Sequence, residues 1–250
     1  MTVKFPQNFK PDNISLFLEK HPDRFVKDLN SFKNFRREHF EEICELSKNP
    51  TANYEKLKNR YFIDQRWSFT LKTKVRLIVG FSGGSVLENS ISFHPFYGFP
   101  IIPSSGLKGV TRHYCSEYLV EKNKIEKTTI DKIFGNNPEA GSDDSYEGDV
   151  IFFDAWPEEW ERNKSMLELD IMTPHYPKYY QGLEYPTDKQ SPKPIVFLAV
   201  KKGITFRFCL KPSSKSKEQN HVNLAECFLK QALKTFGVGA KTGSNYGYFE

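Results

Sequence analysis

The sequence closes with FGVGAKTGSNYGYFE, Phe236 to Glu250, which places four glycines among the eleven residues from Gly237 to Gly247. Before it, Leu224, Phe228, Leu229, Ala232 and Leu233 share one side of a helix predicted over about residues 222–236, and after it there is chain only for a short strand. That position limits what the segment can be. A Walker phosphate loop needs GxxxxGK[ST] between a strand and the helix that follows, whose first amides and dipole hold the phosphates. Here the order is reversed and the spacing is different. GVGAKTG is not GxGxxG either, and no βαβ unit follows it. Two readings remain. Glycines without Cβ atoms let backbone amides approach an anion closely, with Lys241, Thr242, Ser244 and Asn245 as further donors, which suits an extended phosphodiester backbone. Alternatively, Gly237 caps the helix and a turn follows, which needs only one of the glycines.

Charge distribution bears on this choice. From Glu139 to Asp170 eleven acids stand against Arg162 and Lys164, a net of −9; from Thr187 to Glu250 eleven bases stand against four acids, a net of +7. Such polarity predicts a basic face for phosphates and an acidic face turned to solvent or to another protein. The 22 Phe and 12 Tyr residues give ample material for a core. Cys44, Cys115, Cys209 and Cys227 are far apart, without CxxC or CxxH spacing, so neither a zinc site nor a disulfide framework is indicated. The acidic stretch with Asp143, Asp144, Glu147, Asp149 and Asp154 lacks the ligand order of a calcium loop. No metal or other cofactor is expected. Free thiols, no membrane-length apolar run and an N-terminus without an apolar signal core predict a cytoplasmic location.

Along the chain, residues 1–64 read as a helical N-terminal extension, with Phe17, Phe25, Leu29, Phe32, Phe35, Phe40, Ile43 and Leu46 at roughly helical spacing and breaks at Pro22 and Pro50. A second unit, 65–250, begins where Phe69, Leu71, Thr73, Val75, Leu77 and Val79 alternate with polar residues as in a long half-buried strand. FPIIPSSGLKGVTRHY then predicts strand, turn and helix, with Ser104 or Ser105 as N-cap and Leu107, Val110, Tyr114 and Tyr118 as its apolar stripe. DVIFFDAW and LELDIM read as strands. IVFLAV and ITFRFCL read as a hairpin turning at Lys201, Lys202 and Gly203. The alternation predicts an α+β, ferredoxin-like sheet with helices on one face.

A second anion site is suggested at PSSGLKGVTR. Ser104, Ser105 and Gly106 present a helix start, and Lys108 and Arg112, four residues apart, share a helical face. His113, beside Tyr114 and Cys115, has no readable acid partner and is expected against the core or at its rim.

HPFYGFPIIPSSGLKGVTRHY and ALKTFGVGAKTGSNYGYF together resemble the signature elements of the RAMP superfamily of CRISPR-associated RNA-binding proteins. The intervening LELDIMTPHYPKYYQG…SPKPIVFLAVKKGITFRF resembles the subunits of its Cmr, type III-B CRISPR, branch. The likeness runs from about Val86 to the last residue; PSSG departs from the commoner pattern, which has Gly before two small residues. The resemblance implies an RRM-like RAMP fold with an inserted hairpin thumb, and a subunit that caps the effector backbone near the 3′ part of the guide RNA. Its implied partners are CRISPR guide RNA, target RNA and neighbouring Cmr-complex subunits. Gly237, Gly239, Lys241, Thr242, Gly243 and Gly247 would lie against RNA, Ser104, Ser105, Lys108 and Arg112 would face the guide, and His175, Tyr176 and Lys178 would belong to the thumb. Related backbone subunits cut target RNA with an acidic loop residue; the corresponding FSGGSVLENS offers only Glu88, which suits an inter-subunit contact equally well. Metal-independent cleavage needs a positioned base, and His175 is the candidate, with Tyr176, Lys178, Tyr179 and Tyr180 around it. The same residues suit base stacking and phosphate contact. The expectation is therefore a non-catalytic RNA-binding subunit, with a CRISPR-RNA-processing endoribonuclease and a protein-only scaffold as alternatives.

Overall fold

A computed structural model of the chain describes residues 14–15, 32–49, 54, 57–58, 65–81, 91–120, 125–136, 146–173, 182–183, 185, 194–216 and 219–250. Helix α1 spans Phe32–Leu46, strand β1 Ser68–Lys72, and α2 Ser104–Tyr114, which continues as a π-helical turn over Cys115–Val120. Helix α3 (Lys127–Phe134) leads into the short strands β2 (Gly135–Asn136) and β3 (Tyr146–Glu147). Then come β4 (Val150–Phe152), β5 (Trp156–Pro157), β6 (Leu167–Met172), β7 (Ile195–Val200), β8 (Thr205–Pro212) and helix α4 (Gln219–Thr235).

Strand β8 is the spine of the main sheet. It pairs antiparallel with β1 along one edge, Ser68 opposite Cys209 through Lys72 opposite Thr205, and with β4 and β5 along the other. Its alternation is the period-2 pattern that a half-buried strand requires: Phe206, Phe208 and Leu210 are buried and the residues between them are not. Helix α4 packs against β8 with Val222, Ala225, Leu229, Ala232 and Leu233, all buried at helical spacing, and α2 packs on α4 through a face that includes Leu107 and Thr111. Phe249 closes this core edge-on to Phe206 and Phe208, at 6.1 and 5.6 Å between ring centroids. Phe40, Ile43, Tyr54 and Leu57 belong to the same buried cluster. Trp160 Nε1 donates to Ser47 O at 2.6 Å, and Tyr54 donates its hydroxyl to Pro157 O at 2.6 Å.

Three local expectations are corrected. The long strand through Val79 ends at Lys72. The chain bends at Lys74 and Val75, and Leu77, Ile78 and Val79 are then buried consecutively, which no one-sided strand allows. The reason is cover on both sides: Leu77 lies in the main core, while Ile78 joins Phe197 and Ala199 in a second small cluster flanked by Phe81, Ala240 and Tyr246. Next, Lys201–Gly203 is a turn, yet β7 and β8 do not pair across it. β7 pairs with β6, Leu167 opposite Val200 through Met172 opposite Ile195, and β8 pairs with β1. Buried Thr73 separates them, its hydroxyl donating to Lys201 O at 2.8 Å and accepting Ile204 N–H at 2.9 Å. Leu77 then exchanges backbone hydrogen bonds with Val200 at 3.0 and 2.8 Å. Finally, neither serine caps α2. The N-cap is Pro103, and Asp154 Oδ1 accepts Ser104 N–H at 2.7 Å.

Candidate nucleic-acid interface

The glycine segment is built around the chain's own backbone. Helix α4 ends at Thr235, and Gly237, φ +70°, follows with its N–H reaching back to Ala232 O at 3.2 Å, the helix-cap role expected for it. Two more close approaches follow. A Cβ on Gly239 would stand 2.1 Å from Ile78 O, and one on Gly247 2.0 Å from Val238 O. Even at Gly237 it would stand 2.9 Å from Gly247 O. The backbones meet that closely because Val238 N–H donates to Gly247 O at 2.9 Å, Ala240 N–H to Ile78 O at 2.8 Å and Gly247 N–H to Arg76 O at 2.7 Å. The terminal residues then lie antiparallel to the end of β1, with Lys72 and Glu250 exchanging hydrogen bonds at 2.9 Å. So the room left by these three glycines is filled from within, in contrast to the anion approach expected of them. Gly243 alone of the four has no atom within 4 Å of its Cβ position.

What the segment exposes is its tip. Lys241 (φ +60°) and Asn245 (φ +65°) bracket a single 3₁₀ turn, Thr242–Ser244, and Gly243, Ser244 and Asn245 are exposed. Lys241 Nζ sits 5.5 Å from the centre of the Phe81 ring. Tyr246 anchors the base of the tip by donating its hydroxyl to Asp170 Oδ2 at 2.6 Å; burial, then that bond, pushes its phenol up to about 12. Arg76 is held by Glu168 and Asp170, and its pKa is raised chiefly by the Glu168 bond.

Beside the tip opens a cleft of about 520 Å³, lined by Val75, Arg76, Glu168, Lys201, Lys202, Ser244, Asn245 and Tyr246. Hydroxyl, amide and ammonium donors thus converge on one surface, which is chemically suited to a phosphate backbone. Sequence reasoning missed Lys201 and Lys202 as site residues. Their signal was present as a dibasic turn, but it takes the Leu77–Val200 pairing and the bonds of Thr73, itself bridged to Phe249, to bring that turn to the glycine segment.

The second predicted site is less free. Ser104 N–H is already bound to Asp154, and Arg112 Nη2 lies 3.3 Å from Asp131 Oδ1. Ser105 is exposed, and Lys108 borders a 300 Å³ depression with Glu147 and Ile151. The two predicted stretches do adjoin: the Cβ position of Gly106 is 3.9 Å from Val238 Cγ2. His113 rests on the Phe236 ring, 5.1 Å between centroids. Glu88, His175, Tyr176, Lys178, Tyr179, Tyr180, Asp143 and Asp144 lie outside the described residues. The remaining acids of that stretch have partners of their own: Glu147 Lys215, Asp149 His221 and Asp154 the start of α2. Among the described residues no three or more His, Cys, Asp or Glu side chains are grouped to hold a metal ion, and no helix is long and apolar enough to cross a membrane.

Comparison with known proteins agrees with this architecture. A CRISPR system Cmr subunit Cmr6 from Pyrococcus furiosus is 36% identical over 225 residues, 70% of this chain and 65% of that relative, so the chain spans just under two thirds of the relative's length. The CRISPR system CMR subunit Cmr6 of Saccharolobus solfataricus is 29% identical over 252 residues, covering 95% of this chain and 77% of the relative. A chain in the cryo-EM structure of the type III-B Cmr-beta bound to cognate target RNA superposes with a TM-score of 0.61 at 25% identity, over 90% of this chain and 76% of that one. The sequence model of the RAMP superfamily matches residues 70–250, from within β1 through the glycine segment, and the chain belongs to the RAMP superfamily.

Proposed function

We propose that this chain is a non-catalytic RNA-binding subunit of a Cmr, type III-B CRISPR, effector complex. It caps the complex's backbone near the 3′ part of the guide RNA and works in the cytoplasm with guide RNA, target RNA and neighbouring Cmr subunits. The names of its relatives support the assembly, and the cleft beside the glycine tip carries the RNA contact. Lys201, Lys202, Ser244 and Asn245 line one surface there, with Lys241 on the same segment. Guides carry variable sequences, so a subunit common to all of them holds the variable part chiefly by its backbone. The core supports a ferredoxin-like reading. Terminal segment, β1, β8 and β4 lie side by side in that order, with α2 in the chain between β1 and β4 and α4 between β8 and the terminal segment.

Binding of single-stranded RNA by the full chain, measured across salt concentrations, tests this. Each of Lys201→Ala, Lys202→Ala and Lys241→Ala should lower the salt slope by about 0.7 per lost phosphate contact. Affinity and slope unchanged in all three would remove the cleft as the RNA surface. Native purification of the tagged chain should bring down guide RNA with Cmr subunits, and the chain alone should leave RNA intact. Cleavage that disappears in His175→Ala would replace this reading with the endoribonuclease.

A further inference from the structure

Opposite the helix-covered side of β8 lies a second cleft, of about 320 Å³, within the size range of small-molecule sites. Arg207, Cys209 and Lys211 alternate with the buried Phe206, Phe208 and Leu210, so they face it from the sheet. Arg207 is engaged within the fold: Nη2 reaches Glu158 Oε1 at 2.6 Å, Nε also bonds Glu158, and Nη1 reaches Ser68 Oγ at 2.9 Å. The other lining groups form a different pattern. Trp156 stands edge-on to His94, 5.9 Å between ring centres at 80°, which fixes its plane. Phe153 is 39% exposed, enough to offer a ring face, and Lys211 Nζ stands 5.7 Å from its centre. Asp154 brings a carboxylate whose orientation is set by Ser104 N–H at 2.7 Å. His94 Nδ1 accepts Phe96 N–H at 3.2 Å, which places the proton of the neutral ring on Nε2.

We propose that this cleft receives one unstacked nucleobase of single-stranded RNA, and prefers a base that carries an exocyclic amino group. Phe153 and Trp156 supply the stacking surface, Asp154 accepts from the amino group, and Lys211 meets the adjoining phosphate. A bare anion is disfavoured by the Asp154 carboxylate. A cationic side chain of a protein partner is disfavoured by Lys211, whose ammonium stands beside the Phe153 ring. The proposal rests on the RNA-binding reading and adds to it a base-reading pocket, away from the backbone-directed glycine tip.

The test titrates the full chain with hexacytidylate and hexauridylate, pyrimidine oligomers of equal charge that differ in the amino group, following tryptophan fluorescence and affinity at two salt concentrations. Hexacytidylate should bind about tenfold tighter and quench more strongly. Phe153→Ala should weaken hexacytidylate by about tenfold without changing the salt slope. Asp154→Asn retains an oxygen for Ser104 N–H and should erase the preference for cytidine. Equal affinity for both oligomers, untouched by Phe153→Ala, overturns the pocket while leaving the RNA-binding reading standing. No salt-sensitive binding of either oligomer overturns both. Competition by arginine amide but not by cytidylate would give the cleft to a protein side chain, and also overturns the proposal.

Discussion

Replacing Gly239 by alanine separates a glycine that the fold needs from one that a ligand needs. At φ +92° the added Cβ would lie 2.1 Å from Ile78 O and 3.4 Å from Val79 Cγ2. Ile78 O is also the acceptor of Ala240 N–H at 2.8 Å, so the clash falls on a hydrogen bond that seats the segment. An L-residue in the left-handed region costs about 1–2 kcal/mol. Restoring a normal contact distance moves the segment by about 1 Å. That movement sacrifices the Ala240–Ile78 bond, worth about 1 kcal/mol, and loosens the cover over Ile78, which is fully buried. The total is about 3 kcal/mol, and at about 2–4 °C per kcal/mol for a chain of this size the melting temperature should fall by about 6–12 °C. Gly243→Ala is the internal control. With no atom within 4 Å and no positive φ, its stability should stay within about 0.5 kcal/mol of the parent. Thermal melts followed by far-UV circular dichroism, with urea titration of the same variants, read both. A Gly239→Ala protein that melts with the parent but loses RNA would refute the reasoning, because the glycine would then serve the ligand's approach and not the chain's own packing.

Asp154→Ala removes the acceptor of Ser104 N–H at the start of α2 and should cost about 1 kcal/mol in denaturant titrations, whereas Asp154→Asn should recover most of it. Tyr246→Phe removes the hydroxyl bond to Asp170 and should cost about 1 kcal/mol, with faster amide exchange at Ala240 and Gly247. Because the Tyr246 phenol is pushed up to about 12 from an ordinary 10, its contribution is complete below about pH 10 and is lost as pH rises toward 12; in ultraviolet titration the late-ionising amplitude should shrink by one tyrosine in Tyr246→Phe, leaving that of Tyr114, which burial also raises. Burial pushes Cys115 up to about 12 and Cys44 up to about 11, so maleimide should label exposed Cys227 in the folded protein and reach Cys115 only on unfolding.

Local periodicity was legible and partnership was not. The apolar spacing of Leu229, Ala232 and Leu233 predicted α4, and LELDIM and ITFRFCL predicted β6 and β8, because each pattern depends only on which side of one element is buried. Pairing depends on distant residues. The turn at Lys201–Gly203 looked like a hairpin until Thr73, 128 positions before Lys201, placed its hydroxyl between the two strand ends. The serines at the start of α2 looked self-sufficient, but their helix takes its cap from Asp154, fifty residues on.

The candidate interface shows the same limit in sharper form. A glycine in a sequence announces an absent Cβ and nothing about what occupies the space. For Gly239 and Gly247 the occupants are Ile78 O and Val238 O, one from the stretch that follows β1 and one from the same loop. These contacts hold Lys241, Ser244 and Asn245 in a fixed turn beside Lys201 and Lys202, groups that the sequence separates by some forty residues. Glycines filled from within are therefore compatible with a surface for RNA: internal packing sets the backbone, and the donors on the tip and on the Lys201–Lys202 turn make the contact. Under that division, alanine at Gly239 lowers stability and RNA affinity together, whereas alanine at Lys201 lowers affinity alone.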